Sequence, residues 1–343
     1  MADDVTRSGA AAATLPEPSP AGRATARPAG GTGGDRRPSR LSGEWRKRLE
    51  IAFFVGPALA LFAVFVVVPI VQAVRYSVFS WNGLGPLENF VGLANYARAL
   101  QDQVFTDAVL HNLTIVVLSI LIQLPLGLGV ALLLNREMWG RTGMRIIIFV
   151  PYVLAEVVAG VVWFMLLQPN GPVDAALEAV GLGSLVQVWL GDPDIALYTV
   201  MVVLTWKYLG LAVILFLAGL QGVPAELYEA AQIDGASWWQ VQRRITIPLL
   251  GPTIRTWGFL SMIGSLQLFD MVWILTKGGP ANSTVTMAIY LINQGTNRSL
   301  YGYASAVAVL LFVISLVLAL TYQRLILRRD TLAAPRTSRK VTR

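Results

Sequence analysis

Long apolar stretches recur along the chain at about 51–79, 109–134, 146–168, 196–220, 254–276 and 304–327. A membrane helix needs about 20 mainly apolar residues, and each of these is long enough. None alternates apolar and polar positions, so the pattern predicts a helical bundle and not a barrel. The expected fold is all-α and integral to the membrane, with six transmembrane helices. Pro57, Pro69, Pro125 and Pro151 fall inside or at the ends of these stretches, where neighbouring helices can satisfy the carbonyls they free. Turn signals such as Asn82-Gly83 and Gly278-Gly279-Pro280 mark the loops between them.

Charge gives the stretches an orientation. Arginine and lysine crowd the N-terminal segment up to Arg48, the loop holding Arg136, Arg141 and Arg145, the loop holding Arg243, Arg244 and Arg255, and the C-terminal tail from Arg324. The opposite loops hold only Arg98, Lys277 and Arg298, with Arg75 near a span end. Cytoplasmic loops carry the excess of Lys and Arg, so both termini are expected inside. The cluster Arg46-Lys47-Arg48 then abuts the membrane. Residues 1–45, rich in Ala, Pro, Gly, Ser, Thr and Arg, have too little to bury and are expected to be a disordered tail. They also put the first apolar run too far from Met1 for an ordinary cleaved signal peptide.

Composition fits this picture and excludes several chemistries. The chain is 55% hydrophobic, only 14% charged, and carries a net charge of +7 over 343 residues, against about 25% charged residues in a soluble domain. Without cysteine there are no disulfides and no thiolate metal sites. The single histidine, His111, is read as a polar contact. Asn-x-Ser/Thr sequences at Asn112, Asn282 and Asn297 are short enough to arise by chance and are not taken as glycan acceptors. Paired carboxylates, a histidine cluster or an exposed nucleophile motif would suggest a membrane enzyme; none stands out.

One polar segment, residues 221–252, separates the fourth and fifth stretches. Pro224 opens a short helix with Glu226 and Glu229 in its N-terminal half, and Leu227, Ala230 and Ala231 share one side. Gly235 can turn left-handed and stop it. Ser237-Trp238-Trp239-Gln240 reads as a capping box that starts a second helix, with Trp238, Val241 and Ile245 on one stripe. Pro248 and Pro252 then lead into the fifth stretch. Such a helix–glycine–helix hook is either a docking knob or an interfacial loop packed on its own bundle.

The spacing resembles a known motif. Glu229-Ala230-Ala231, Gly235, Ile245 and Ile247-Pro248 look like the EAA loop of binding-protein-dependent ABC importer permeases, with Ile247 where the family usually has leucine. Ile233-Asp234-Gly235-Ala236, Phe90 to Tyr96 and Leu275 to Asn282 resemble its sugar-transporting branch of the maltose and glycerol-phosphate type. The resemblance covers about 50–330 and implies a type I ABC importer permease, a transport subunit and not an enzyme. It implies a first helix and outer loop over 46–107, a permease core over 108–327 with the coupling loop at 221–252, and a basic tail over 328–343.

It further implies that Glu229, Ala230, Ala231, Asp234, Gly235, Ile245 and Pro248 couple the chain to a separate ATPase. The implied partners are two ATP-binding subunits, a second permease and an extracytoplasmic sugar-binding protein. No Gly-x-x-x-x-Gly-Lys-Ser/Thr occurs in the chain, so ATP and Mg belong to the partners and no cofactor of its own is expected. Membrane lipid is the surrounding partner; nucleic acid is not one.

Polar side chains inside the stretches come last: Glu156, Lys207, Gln267 and Asp270. A charge at a helix centre costs about 2.5–3.5 kcal/mol on insertion scales, so each should face protein or water. Gln267 and Asp270, with the aromatic faces of Trp163, Trp206 and Phe269, are candidates for a sugar pathway; Trp257 lies nearer the inner end. Glu156 and Lys207 are either part of that pathway or an ion pair that orders the bundle. The rival class is an ion-coupled secondary transporter or channel, which would use intramembrane acids and inverted repeats.

Overall fold

The structure is a computed structural model that describes residues 40–327; the expected disorder of the N-terminal tail and the basic tail 328–343 fall, for 1–39 and 328–343, outside the described residues. The chain divides into two compact units, Met1–Ala60 and Leu61–Arg343. The described part of the first is helical from Arg40, so residues 40–45 are helix where a disordered tail was expected, and from Trp45 on it is exposed except at half-buried Gly56.

Among the described residues, four helices are long and apolar enough to cross a membrane. They are α1 (Trp45–Ser77), α3 (Gln103–Leu134), α7 (Ala196–Gln221) and α13 (Tyr301–Ile326). The short helix α2 (Ala94–Gln101) lies between the first two. The third apolar stretch folds as α4 (Arg141–Val153) and α5 (Glu156–Leu166), bent by 101°, and counts as a fifth span if the pair is one. After α5 come α6 (Pro172–Ala179) and then α7. The hook holds α8 (Ala225–Ile233) and α9 (Trp238–Val241). The fifth stretch is also broken, into α10 (Gly251–Leu266) and α11 (Asp270–Leu275), and α12 (Met287–Ile292) precedes α13.

Prolines shape the long helices without ending them. π-helical turns at Ala63–Val67, Ser119–Gln123 and Gln242–Thr246 each run directly into a helical turn that opens on Val68-Pro69, Leu124-Pro125 or Ile247-Pro248. Proline has no N–H to give and its ring crowds the carbonyl four residues earlier. Widening the preceding turn relieves both problems and leaves the helix continuous.

α7 is the centre of the second unit. It is apolar on all sides, as a helix surrounded by others must be, and 56% of its most apolar window is buried, against none for α1. It packs on the second half of α3 and on α4. Close approach there depends on missing side chains: a Cβ on Gly210 would meet the Ile148 carbonyl oxygen at 2.6 Å, and one on Gly127 the Ala212 Cβ at 2.7 Å. One core cluster gathers Phe105, Ile115, Val200, Met271 and Ile289; a second gathers Leu134, Val213, Phe216, Leu250 and Trp257.

Asp102 caps α3 by accepting from the Val104 and Phe105 amides at 2.9 and 3.3 Å. His111 makes a 2.9 Å hydrogen bond to the Val285 carbonyl, the polar contact expected of it. Asn112 is fully buried with both ends of its amide engaged, which leaves nothing for a glycan to reach.

Candidate functional site

The hook between α7 and α10 is built by local rules. Pro224 stands just before α8, with φ −58° and ψ 134°, so the helix begins one residue later than proline at its first position would have it. At the other end Gly235 adopts φ +71°. Its amide donates to the Gln232 carbonyl at 3.0 Å and the Ala236 amide to the Ala231 carbonyl at 2.9 Å, the crossed pair of bonds of a glycine-terminated helix. Ser237 and Gln240 form a reciprocal box: the Ser237 amide donates to Gln240 Oε1 at 2.7 Å, and the Gln240 amide to Ser237 Oγ at 3.4 Å. α9 then passes through the π turn to Pro248.

Between the two short helices lies an open cleft of about 530 Å³, lined among others by Ala230, Ala231, Asp234, Gly235 and Ile245. Glu229, Ala230, Asp234 and Pro248 are exposed, Ile245 is half-buried and Ala231 is buried. Ile233 is 87% exposed and Trp239 63% exposed, an apolar surface that nothing among the described residues covers. Trp238 carries the Arg136 guanidinium over its ring at 4.4 Å, tying the hook to the loop between α3 and α4.

A second candidate site is a cavity of about 370 Å³ inside the bundle. Its polar lining comes from Ser119 and Gln123 on α3, Tyr152 on α4, Tyr208 on α7, and Ser261 and Ser265 on α10, with Trp257 as an aromatic wall. The sequence reading missed the first six. Ser119 and Gln123 sit on the π turn forced by Pro125, and that proline was the available signal. The cavity can offer hydroxyls and an amide beside aromatic faces, and it has no carboxylate among its lining residues.

Glu156 and Lys207 meet next to it. The ammonium of Lys207, 1% exposed, lies 3.8 Å from Glu156 Oε1. It also donates to the carbonyls of Pro151 at 3.0 Å, Tyr152 at 3.2 Å, and Leu154. These carbonyls are orphaned where α4 stops and Leu154 and Ala155 become extended, ψ 143° at each. An ammonium has three N–H donors, and the break presents three acceptors. The Tyr208 hydroxyl donates to Glu156 Oε1 at 2.9 Å.

The predicted pathway residues are not among those that line this cavity. Gln267 and Asp270 are exposed at the break between α10 and α11. Trp163 and Trp206 meet edge to face at 5.5 Å and are half-buried against the core. Phe269 stacks on Trp273 at 5.4 Å. None of these lines the cavity; Leu268, between Gln267 and Phe269, does.

Residues 123–330 match the family model described as the inner membrane component of binding-protein-dependent transport systems. The chain is 37% identical over 274 residues to a probable ABC transporter permease protein of Pyrococcus horikoshii, covering 79% of this chain and 94% of that one. It is 35% identical over 278 residues to the permease protein of a diacetylchitobiose uptake system of Streptomyces coelicolor, covering 78% and 79%. Its fold is similar to that of a chain in the crystal structure of a bacterial ABC transporter involved in the import of alginate, with a TM-score of 0.75 at 24% identity over 84% of this chain and 99% of the other. An ion-coupled carrier or channel is not favoured by these matches. The chain belongs to the family of inner-membrane components of binding-protein-dependent transport systems, as a multi-pass permease subunit.

Proposed function

We propose that the chain is the first of two permease subunits in an ATP-driven importer of a di- or oligosaccharide or related polyol derivative. An extracytoplasmic binding protein delivers the sugar, and a second permease completes the pathway. The chain crosses the membrane six times, counting each broken stretch as one crossing, with both termini and the hook in the cytoplasm. ATP and Mg are bound by two partner ATPases. Glu229, Ala230, Ala231, Asp234 and Gly235 seat the hook in an ATPase cleft, and Ile245 and Pro248 pass its movement to α10.

The observation that carries the sugar class is the cavity, whose hydroxyl and amide groups beside Trp257 suit a ligand made of hydroxyls and weakly polar ring faces. The similarity to a permease of diacetylchitobiose uptake and to an alginate importer supports the same class. Gln267 and Asp270, next along the chain from the cavity residue Leu268, extend the pathway outward, with Trp163 and Trp206 as its neighbouring aromatic wall. Reconstitution with the second permease, ATPase and binding protein in proteoliposomes tests the reading. Uptake of diacetylchitobiose or maltose should require ATP and the binding protein. Uptake that ignores ATP and follows an imposed ion gradient would overturn it.

A further inference from the structure

The group of Lys207, Glu156 and Tyr208 does more than close a helix break. Tyr208 is at once a hydrogen-bond donor to Glu156 Oε1, at 2.9 Å, and a wall of the central cavity. A phenol has one proton and can accept through its oxygen; a carboxylate can only accept. With the Lys207 ammonium 3.8 Å from the same carboxylate oxygen, Glu156 Oε1 is fixed in place as an acceptor, and the Tyr208 proton has one fixed destination. From the cavity side Tyr208 is then an acceptor only.

We propose that Lys207 and Glu156 are positioning residues that make Tyr208 a specificity determinant, reading a hydrogen-bond donor on the transported molecule. The substrate must present a hydroxyl or N–H group where it passes Tyr208. A group that can only accept, such as an ether, a carbonyl or a C–F bond, meets a lone pair there and is rejected. This rests on the sugar-import reading above. Tyr152, whose ring centroid is 6.5 Å from that of Tyr208, shares the wall; among the described residues its hydroxyl has no hydrogen-bond partner, so it remains free to donate or accept. The two tyrosines therefore divide the labour: Tyr152 adapts and Tyr208 selects.

The test uses the complete reconstituted transporter, with rates normalised to purified complex. Diacetylchitobiose and maltose are compared with their monodeoxyfluoro analogues, in which one hydroxyl at a time becomes an acceptor only. Uptake of the parent sugars by the unaltered complex tests the sugar reading by itself; the ratio of parent to analogue tests the assignment of the Tyr208 proton. In the unaltered complex one position should discriminate about fivefold to tenfold, the worth of one buried hydrogen bond. Tyr208→Phe keeps the ring and should erase that discrimination by raising KM for the parent while leaving kcat in place. Glu156→Gln gives Tyr208 a partner that can donate as well as accept, so the phenol proton can turn to the cavity and the ratio should fall toward one. A purely structural role for the pair predicts less complex but an unchanged ratio in what assembles. An unchanged ratio in Tyr208→Phe or in assembled Glu156→Gln overturns the proposal.

Discussion

The third and fifth apolar stretches are both broken, and the two breaks are closed in different ways. At the α4–α5 break a neighbouring helix supplies an ammonium, Lys207, to the carbonyls of Pro151, Tyr152 and Leu154, with Glu156 as counter-charge. At the α10–α11 break a neighbouring helix supplies a neutral amide. Asn112 Nδ2 donates to the carbonyls of Ser265 and Leu266 at 2.7 and 3.3 Å, while Oδ1 accepts from the Met287 amide at 2.9 Å. One side chain thus closes the end of α10 and the start of α12 with no charge. In an apolar bundle a helix can stop only where another helix brings matching groups. A charged closure binds its carbonyls more tightly but demands a counter-ion, and the penalty for losing either member is correspondingly greater.

The largest effect should follow loss of the charged closure. Lys207→Met leaves the orphaned carbonyls without donors and the Glu156 carboxylate without its cation, a class of change that costs about 3–5 kcal/mol. The expected outcome is a marked fall in the yield and apparent Tm of purified complex. Lys207→Met, Glu156→Leu together should recover part of the loss, because the uncompensated carboxylate goes with it. A double variant no better than the single one would mean that the carbonyls, and not the charge pair, dominate.

Removal of the neutral closure should come second. Asn112→Ala strands buried backbone groups at about 1–3 kcal/mol each. Asn112→Asp keeps an acceptor for the Met287 amide but puts a carboxylate against two carbonyls, and should be worse than alanine. Apparent Tm of each variant, beside that of Lys207→Met, ranks the two breaks directly; a greater loss at Asn112 would reverse the comparison.

These two breaks also mark how far the sequence could be read. The apolar runs of α1, α3, α7 and α13 were legible because a span is long and nearly uniform, and the ends differ from expectation by a few residues. The hook was legible in more detail, since Gly235 and the Ser237–Gln240 box act on their own neighbours in the chain. The breaks were not. Closing them takes side chains far away in sequence, Lys207 for residues 151–154 and Asn112 for 265–287, and Asn112 carries no local sign of its role. The pairing of Glu156 with Lys207 was legible as one of two alternatives because charges in a span need partners. The cavity was missed because Ser119 and Gln123 are inconspicuous among apolar neighbours until the π turn brings them to one face.

A third helix end, that of α8, is closed by backbone alone and sharpens the contrast. Nothing lies within 4 Å of a Cβ built on Gly235, so Gly235→Ala meets no clash and carries only the strain of φ +71°, about 1–2 kcal/mol. Tm should fall less than in the buried breaks, while ATP-dependent uptake falls because the hook no longer holds its angle. Gly235→Pro cannot take positive φ and should abolish uptake in a complex that still inserts. Normal uptake in both variants would make the hook a passive loop.

The smallest effect on stability, and the most informative about function, belongs to the exposed residues of the fifth-stretch break. Gln267 and Asp270 are exposed, and neither side chain takes part in the Asn112 closure. Surface substitutions away from such features usually fall within about 0.5 kcal/mol. Gln267→Ala and Asp270→Asn should therefore leave Tm and assembly with the ATPase unchanged. If this break also serves the pathway, both variants should still lower sugar flux per purified complex, with Asp270→Asn the milder because an amide keeps one acceptor. Flux unchanged in both, beside a clear loss in Tyr208→Phe, would confine the pathway in this subunit to the cavity and leave the α10–α11 break a structural joint, unlike its charged counterpart at α4–α5.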